Sequence, residues 1–218
     1  MLAVGSSDVG ESLPDAEEGG ELLADLPPDT LAPSDARSGG GSASLLPYAA
    51  YDGTVVPMGP ARPADIVEGL VEIVAVEGPI LGYRLHSVYV QSSDGMRVGH
   101  QIAKSLNSAI YSAVRRGQLI QDDPLGEAGV RPSTFRLPGQ PPLVMRQLGP
   151  RRFEHIPPAE LAAVMQAVGG GAAGWDEELI FRATLRSYGI QRMGSAIRSR
   201  LLAVLPLARA LRDHQVGG

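Results

Sequence analysis

From Pro63 onward the chain places apolar residues with the period of a helix. Ile66, Leu70, Ile73 and Val74 recur at spacings of three and four, while Asp65, Glu68 and Glu72 take the opposite side. The turn-forming run Glu77-Gly78-Pro79 ends that helix. A second helix is expected from about Tyr83 to Gln91 over Leu85, Val88 and Tyr89, with Ser92 to Gly95 as a turn. A third is expected from about Val98 to Arg115. Ile102, Leu106, Ala109, Ile110, Ala113 and Val114 form its apolar side, and His100, Lys104, Ser105, Asn107, Ser108, Ser112 and Arg115 form the other. Gly117 is a natural C-terminal stop, Gln118 to Gln121 a short strand, and "TFRL" and "PLVMRQL" two further strands. Three helices followed by a small hairpin is the element order of a winged helix.

The pattern then returns at a constant offset of 95 positions. Pro63-Ala64-Asp65-Ile66 is answered by Pro158-Ala159-Glu160-Leu161, Leu70 by Met165, Ile73 by Val168 and Leu85 by Ile180. Arg97, Gly99, Ile102, Leu106 and Ile110 are answered by Arg192, Gly194, Ile197, Leu201 and Leu205. Matches at one offset, mostly at core-facing positions, predict two copies of one helical unit. Pro206 is expected to break the last helix, which leaves the second copy without a wing. The expected fold is therefore α+β. A winged-helix-like unit at 61–150 precedes a mainly helical second unit at 151–218.

Charge separates these units from what precedes them. Of the 24 acidic and 19 basic residues, ten acids and only Arg37 among the bases fall in the first sixty positions, which also hold the flexible run "SGGGSAS". Residues 1–45 read as a disordered acidic linker and 46–60 as a connecting segment. The remainder carries 18 basic and 14 acidic residues. That mild positive balance permits nucleic-acid binding without announcing it, and the acidic segment could compete with nucleic acid for a basic face. The chain has no cysteine, which removes disulfides and thiolate metal sites and fits a reducing compartment. The opening "MLAVGSSDVGES" carries no secretory pattern, and no uncharged apolar run reaches the ~18 residues of a membrane span. A cytoplasmic protein is expected.

The stretch "RVGHQIAKSL", Arg97 to Leu106, tests for a nucleotide loop. A phosphate loop needs glycines where Ala103 and Val98 stand. In the second copy Ser199 and Arg200 replace Lys104 and Ser105, so what persists is Arg, Gly and the apolar stripe. Gly99 and Gly194 are expected to permit a tight start to the helix, and Arg97 and Arg192 to cap a neighbouring helix or pair with an acid. The histidines His86, His100, His155 and His214 show no paired metal spacing and read as surface or core residues. Asp176-Glu177-Glu178 reads as favourable charge at a helix start, and Asp122-Asp123-Pro124 as a turn. No catalytic set, metal site or cofactor site is expected.

The basic residues are the remaining candidates. Lys104, Asn107, Arg115 and Arg116 belong to the third helix and its end, where a winged helix faces the major groove. Arg131, Arg136, Arg146, Arg151 and Arg152 fall on the wing and after it, and Arg192, Arg198, Arg200, Arg209 and Arg212 cluster in the second unit. From these, Lys104, Asn107, Arg115, Arg116, Arg136, Arg146, Arg198 and Arg200 are the expected nucleic-acid contacts. The competing explanation is an ordinary solvated face.

The stretches "VEIVAVEGPILGYRLHSVY", "MRVGHQIAKSLNSAIYSAVRRGQLIQ", "LGPRRFEHIPPAELAAVM" and "EELIFRATLRSYGIQRMGSAIRSRLLAVL" carry a family resemblance. Together, over about residues 46–209, they resemble the uncharacterised tail domain at the C-terminal end of large bacterial superfamily-one helicases. The resemblance implies an accessory module beside an ATPase core and often a nuclease domain. Neither a phosphate loop nor a nuclease Asp…(Asp/Glu)-x-Lys set is present here, so the activity of those larger proteins is not implied. The expected function is non-catalytic binding of DNA or RNA in company with a helicase or nuclease core, without membrane or small-molecule partners. The alternative is a winged-helix module that docks a protein, which the modest net charge favours.

Overall fold

A computed structural model describes residues 43–59, 61–95, 97–170 and 175–216, with the side chains of 214–216 outside the description. The expected acidic linker therefore lies outside the described residues up to position 42. The elements are α1 (Pro63–Glu77), β1 (Ile80–Leu81), α2 (Gly82–Ser92), α3 (His100–Arg115), β2 (Ile120–Asp122) and β3 (Thr134–Arg136). A 3-10 turn at Phe153–His155 follows, then α4 (Pro158–Gly169), α5 (Glu177–Ser187) and α6 (Ser195–Val216). The fold is mixed α and β. Its one described sheet has the order β1-β3-β2 and is antiparallel throughout, with Ile80 and Gln121 both opposite Phe135.

The first core follows from the stripes. Proline at the first position of α1 needs no hydrogen-bond partner for its nitrogen, and the Arg62 N–H donates to Asp65 Oδ2 at 3.1 Å. Ile66, Leu70, Ile73 and Val74 of α1 then pack on Leu85, Val88 and Tyr89 of α2 and on Leu106, Ala109, Ile110 and Ala113 of α3. Ile80 and Phe135 close this core from the sheet. Gly117, at φ 71°, ends α3 in the left-handed conformation.

The second core is built mainly by helices, with no described strand in it. Leu161, Met165 and Val168 of α4 meet Ile180, Phe181 and Leu185 of α5 and Leu201, Val204, Leu205 and Ala208 of α6. α4, α5 and α6 start 95 positions after α1, α2 and α3: Pro158 after Pro63, Glu177 after Gly82, Ser195 after His100. No described strand follows α6.

Residues 43–59 form an extended strap that touches both cores. Ala43 and Leu45 pack on the second core, and Leu46 forms a parallel bridge to Arg146. Farther along, Tyr51, Val55 and Met58 pack on the first. The Val55 N–H donates to Ser92 O at 2.9 Å, and the Tyr89 hydroxyl donates to Val56 O at 2.9 Å. Gly69 of α1 lies so close to Val55 and Tyr89 that a Cβ there would meet each at about 3.0–3.1 Å. Gly149 combines φ 56° with similarly close contact to the Tyr48 ring.

Several expectations need correction. Pro206 does not break the last helix, since α6 continues to Val216. The missing N–H of a proline inside a helix is costly, but Arg209 and Arg212 beyond it are tied to Glu177 and to the Trp175 ring. "PLVMRQL" contributes only the bridge at Arg146 instead of a strand, because Leu46 is its sole backbone partner there. A tight helix start does not explain Gly99 or Gly194 either: an added Cβ would meet nothing within 4 Å at either position. Gly99 is instead an N-cap in ordinary extended backbone, where glycine is tolerated nearly as well as threonine. Its carbonyl accepts from Ala103 N, as that of Gly194 accepts from Arg198 N.

Candidate nucleic-acid interface

α3 offers one polar face. Leu106, Ala109, Ile110 and Ala113 are buried, and Gln101, Lys104, Ser105, Ser108, Tyr111 and Arg115 are exposed on the other side. These exposed positions follow the helical repeat, so they form a continuous stripe. The helix contains no Asp or Glu, and Tyr111 sets an aromatic ring, 47% exposed, among its polar neighbours.

Pairing separates this face from the rest of the charged surface. Among the described residues eleven arginines have carboxylate partners within 4.0 Å. Among the described residues seven cations have none: Arg97, Lys104, Arg115, Arg116, Arg131, Arg186 and Arg192. Four of the seven lie on α3 or directly flank it. An unpaired cation keeps its full attraction for phosphate, whereas a paired one must first lose its carboxylate.

The expected contacts divide accordingly. Lys104, Arg115 and Arg116 are exposed and unpaired. Asn107 is half-buried, with Oδ1 enclosed and without a hydrogen-bond partner. Arg136 is engaged with Asp122 at 2.9 Å across the β2–β3 pair. Arg198 is tied to Glu178 at 2.8 Å, and Arg200 is largely buried beside Ile156 and Glu127. Arg146 does not face solvent at all, because its guanidinium is enclosed between the two cores. Arg97 and Arg192 are exposed, and no ion pair or hydrogen bond holds either side chain, so the expected capping or pairing role is not what they do here.

The arginines removed from the surface build a buried cluster that sequence reasoning missed. Arg84 of α2 forms two 2.9 Å bonds to the Glu77 carboxylate, which also accepts from the Tyr48 hydroxyl at 2.6 Å and from Tyr51 N at 2.9 Å. Arg151 forms two 2.8 Å bonds to Glu160, and the Arg146 N–H donates to the same carboxylate. Arg146 donates to the carbonyls of Glu77, at 2.8 Å, and Pro79, at 2.6 Å, in the turn whose Gly78–Pro79 peptide is cis. The Tyr48 ring lies 4.3 Å from the Arg151 guanidinium carbon and 4.9 Å from that of Arg146. Strap, α1, α2, α4 and the segment before the 3-10 turn thus meet in one polar knot. Burial alone would raise the Glu77 pKa, but the bonds from Arg84, Tyr48 and Tyr51 and the charge of Arg84 hold it below the usual carboxylate range. Burial and the neighbouring Glu77 push the Tyr48 hydroxyl well up, which keeps it a donor.

His86 is buried in α2 with neither ring nitrogen bonded, and burial, aided by Arg131, pushes its pKa down to about 4. Among the described residues no group of three His, Asp or Glu side chains is arranged to hold a metal, and no helix is long and apolar enough to cross a membrane. No known family, curated protein or solved structure matches this chain.

Proposed function

We propose that this protein is a non-catalytic nucleic-acid-binding module of winged-helix type, engaging its ligand along α3. The observation that carries the reading is the acid-free α3 face, with Lys104 and Arg115 on it and Arg97 and Arg116 at its ends, all without carboxylate partners. The winged-helix part is supported by the order of elements from α1 to β3 and by the sheet order β1-β3-β2, which places the β2–β3 hairpin directly after α3. The common offset of the helix starts supports reading α4 to α6 as a second copy without the hairpin. An accessory role beside a bacterial helicase or nuclease core rests on the resemblance of residues 46–209 to the helicase tail domain.

The test is fluorescence anisotropy of the full chain with labelled duplex and single-stranded DNA and RNA over a range of salt. Each phosphate neutralised on B-DNA contributes about −0.9 to the slope of log affinity against log salt. Four contacts predict a slope of about −3.6, and the variant Lys104→Glu/Arg115→Glu/Arg116→Glu should lose most of it. Binding that this variant leaves intact would overturn the α3 assignment. No binding at low salt, together with salt-tolerant capture of a protein, would replace it with the docking reading.

A further inference from the structure

A cleft of about 640 Å³ opens between the first unit and the second, away from the stripe on α3. Leu81 and Pro132 supply its apolar surface. Around them stand Tyr83 from the start of α2, Glu127 from the β2–β3 loop, Arg152, Glu154 and His155 from the 3-10 turn and its approach, and Arg200 from α6. That volume lies in the range of small-molecule sites, roughly 300–1,000 Å³.

Arg200 is poorly satisfied compared with the charges of the buried knot, whereas Arg152 and Glu154 are solvated and free to turn to a ligand. Arg200 approaches Glu127 only to 3.7 Å and Arg152 approaches Glu154 only to 3.9 Å, both beyond hydrogen-bond reach. The Arg200 side chain is 14% exposed, its Nε has no partner, and its best bond is a 3.4 Å contact to Ile156 O. A guanidinium brings five donors, so one taken out of water with a single long acceptor lacks an oxyanion. Burial lowers its pKa, the expected cost of an under-compensated charge. Tyr83 presents a ring, 44% exposed, with the Arg131 guanidinium 5.3 Å from its centre. His155 is kept neutral chiefly by burial, and can both donate and accept.

A bare anion does not suit this lining, because Glu127 and Glu154 would repel it. The ligand must bring donors for the two carboxylates, an oxyanion for the two arginines and a flat group for Tyr83. We propose that the cleft binds a nucleoside monophosphate, with phosphate at Arg200 and Arg152, sugar hydroxyls donating to Glu127 and Glu154, and the base against Tyr83. The same unit can arrive free or as the 5′-phosphorylated end of a strand. No residue of the α3 face takes part.

The test is isothermal titration of the full chain with AMP, adenosine, inorganic phosphate, and short single strands with and without a 5′-phosphate. Saturable one-to-one binding of AMP or of the phosphorylated strand is expected, with adenosine and inorganic phosphate at least about tenfold weaker, as loss of a charged hydrogen-bonding group predicts. Tighter binding of AMP identifies the free nucleotide as the source, and tighter binding of the phosphorylated strand identifies the strand end. Arg200→Gln and Tyr83→Ser should each weaken binding about tenfold. Arg152→Gln, at a 77% exposed side chain, gives the same readout without risk to the fold. The variant Lys104→Glu/Arg115→Glu/Arg116→Glu should bind AMP normally, which separates this site from the α3 reading. Absence of saturable binding by both AMP and the phosphorylated strand at millimolar concentration, or binding unchanged by Tyr83→Ser and Arg152→Gln, overturns the proposal.

Discussion

α3 and α6 start 95 positions apart and are both basic, yet their charges are in opposite states. On α3, Lys104 and Arg115 have no carboxylate partner. On α6, Arg198 is held by Glu178 at 2.8 Å, Arg209 by Glu177 at 2.7 Å and Arg212 by Asp213 at 3.1 Å. Much of the difference comes from the helix before each. α5 starts with Asp176-Glu177-Glu178, where Asp176 caps Leu179 N and the two glutamates reach across to α6. α2 starts with Gly82-Tyr83-Arg84 and has no acid to offer. The count of basic residues on a helix therefore says little about its use, because neighbouring carboxylates decide how much field remains.

The largest effect should come from separating carboxylates that hold the fold from those that only neutralise. Glu160→Ala leaves Arg151 and Arg146 buried without their partner and should cost about 3–5 kcal/mol, read by denaturant unfolding. Glu178→Ala, at a solvent-screened pair, should leave the same measurement essentially unchanged.

Next is a contrast between two buried residues 95 positions apart. His86 of α2 and Phe181 of α5 are both buried. The folded-state pKa of His86, about 4, lies below its ordinary 6.5, so the unfolded chain binds the proton first. This contribution to stability is complete above pH 6.5 and is lost as pH falls toward 4. Its size is on the order of 3 kcal/mol. His86→Phe should flatten that part of the stability-against-pH curve, and an unchanged slope would mean that His86 is not buried neutral.

The smallest effect is the most direct challenge to the comparison. Glu177→Gln/Glu178→Gln frees Arg198 and Arg209, and should raise nucleic-acid affinity by a few-fold at low salt and steepen the salt slope by about 1–2. Unchanged affinity and slope would mean that α6 does not approach the ligand.

The apolar stripes were legible because burial and helical period act on the same residues. Ile66, Leu70, Ile73 and Val74 are all in the first core, and the starts of α4, α5 and α6 keep the offset read from the sequence. The buried knot was not legible, because an arginine enclosed between two cores has the same letters around it as one on a surface. Arg146 followed a run of wing-like residues and was expected to face a phosphate. One signal was present: Glu77 continues the stripe of Ile66, Leu70, Ile73 and Val74 at the next helical step, where a charge has to be buried and paired. The strap had no period to read, since Tyr48, Tyr51 and Val55 owe their places to distant partners. At Pro206 the local rule lost to tertiary contacts that hold both sides of the helix.

The strap reverses the order in which the chain visits its own cores. Ala43 and Leu45 belong to the second core, Tyr48 lies against Arg146 and Arg151, and only then does Val55 reach the first. The continuous backbone joining the halves, through the exposed Pro141 and Pro142, is thus one of two connections, and the other is the clasp that the strap makes with backbone and side chains. Scission after Pro142 would give two polypeptides that still share a hydrophobic seam, a bridge at Leu46 and a tyrosine between two arginines. The gene can be split there, and the separately made pieces should reassemble on mixing.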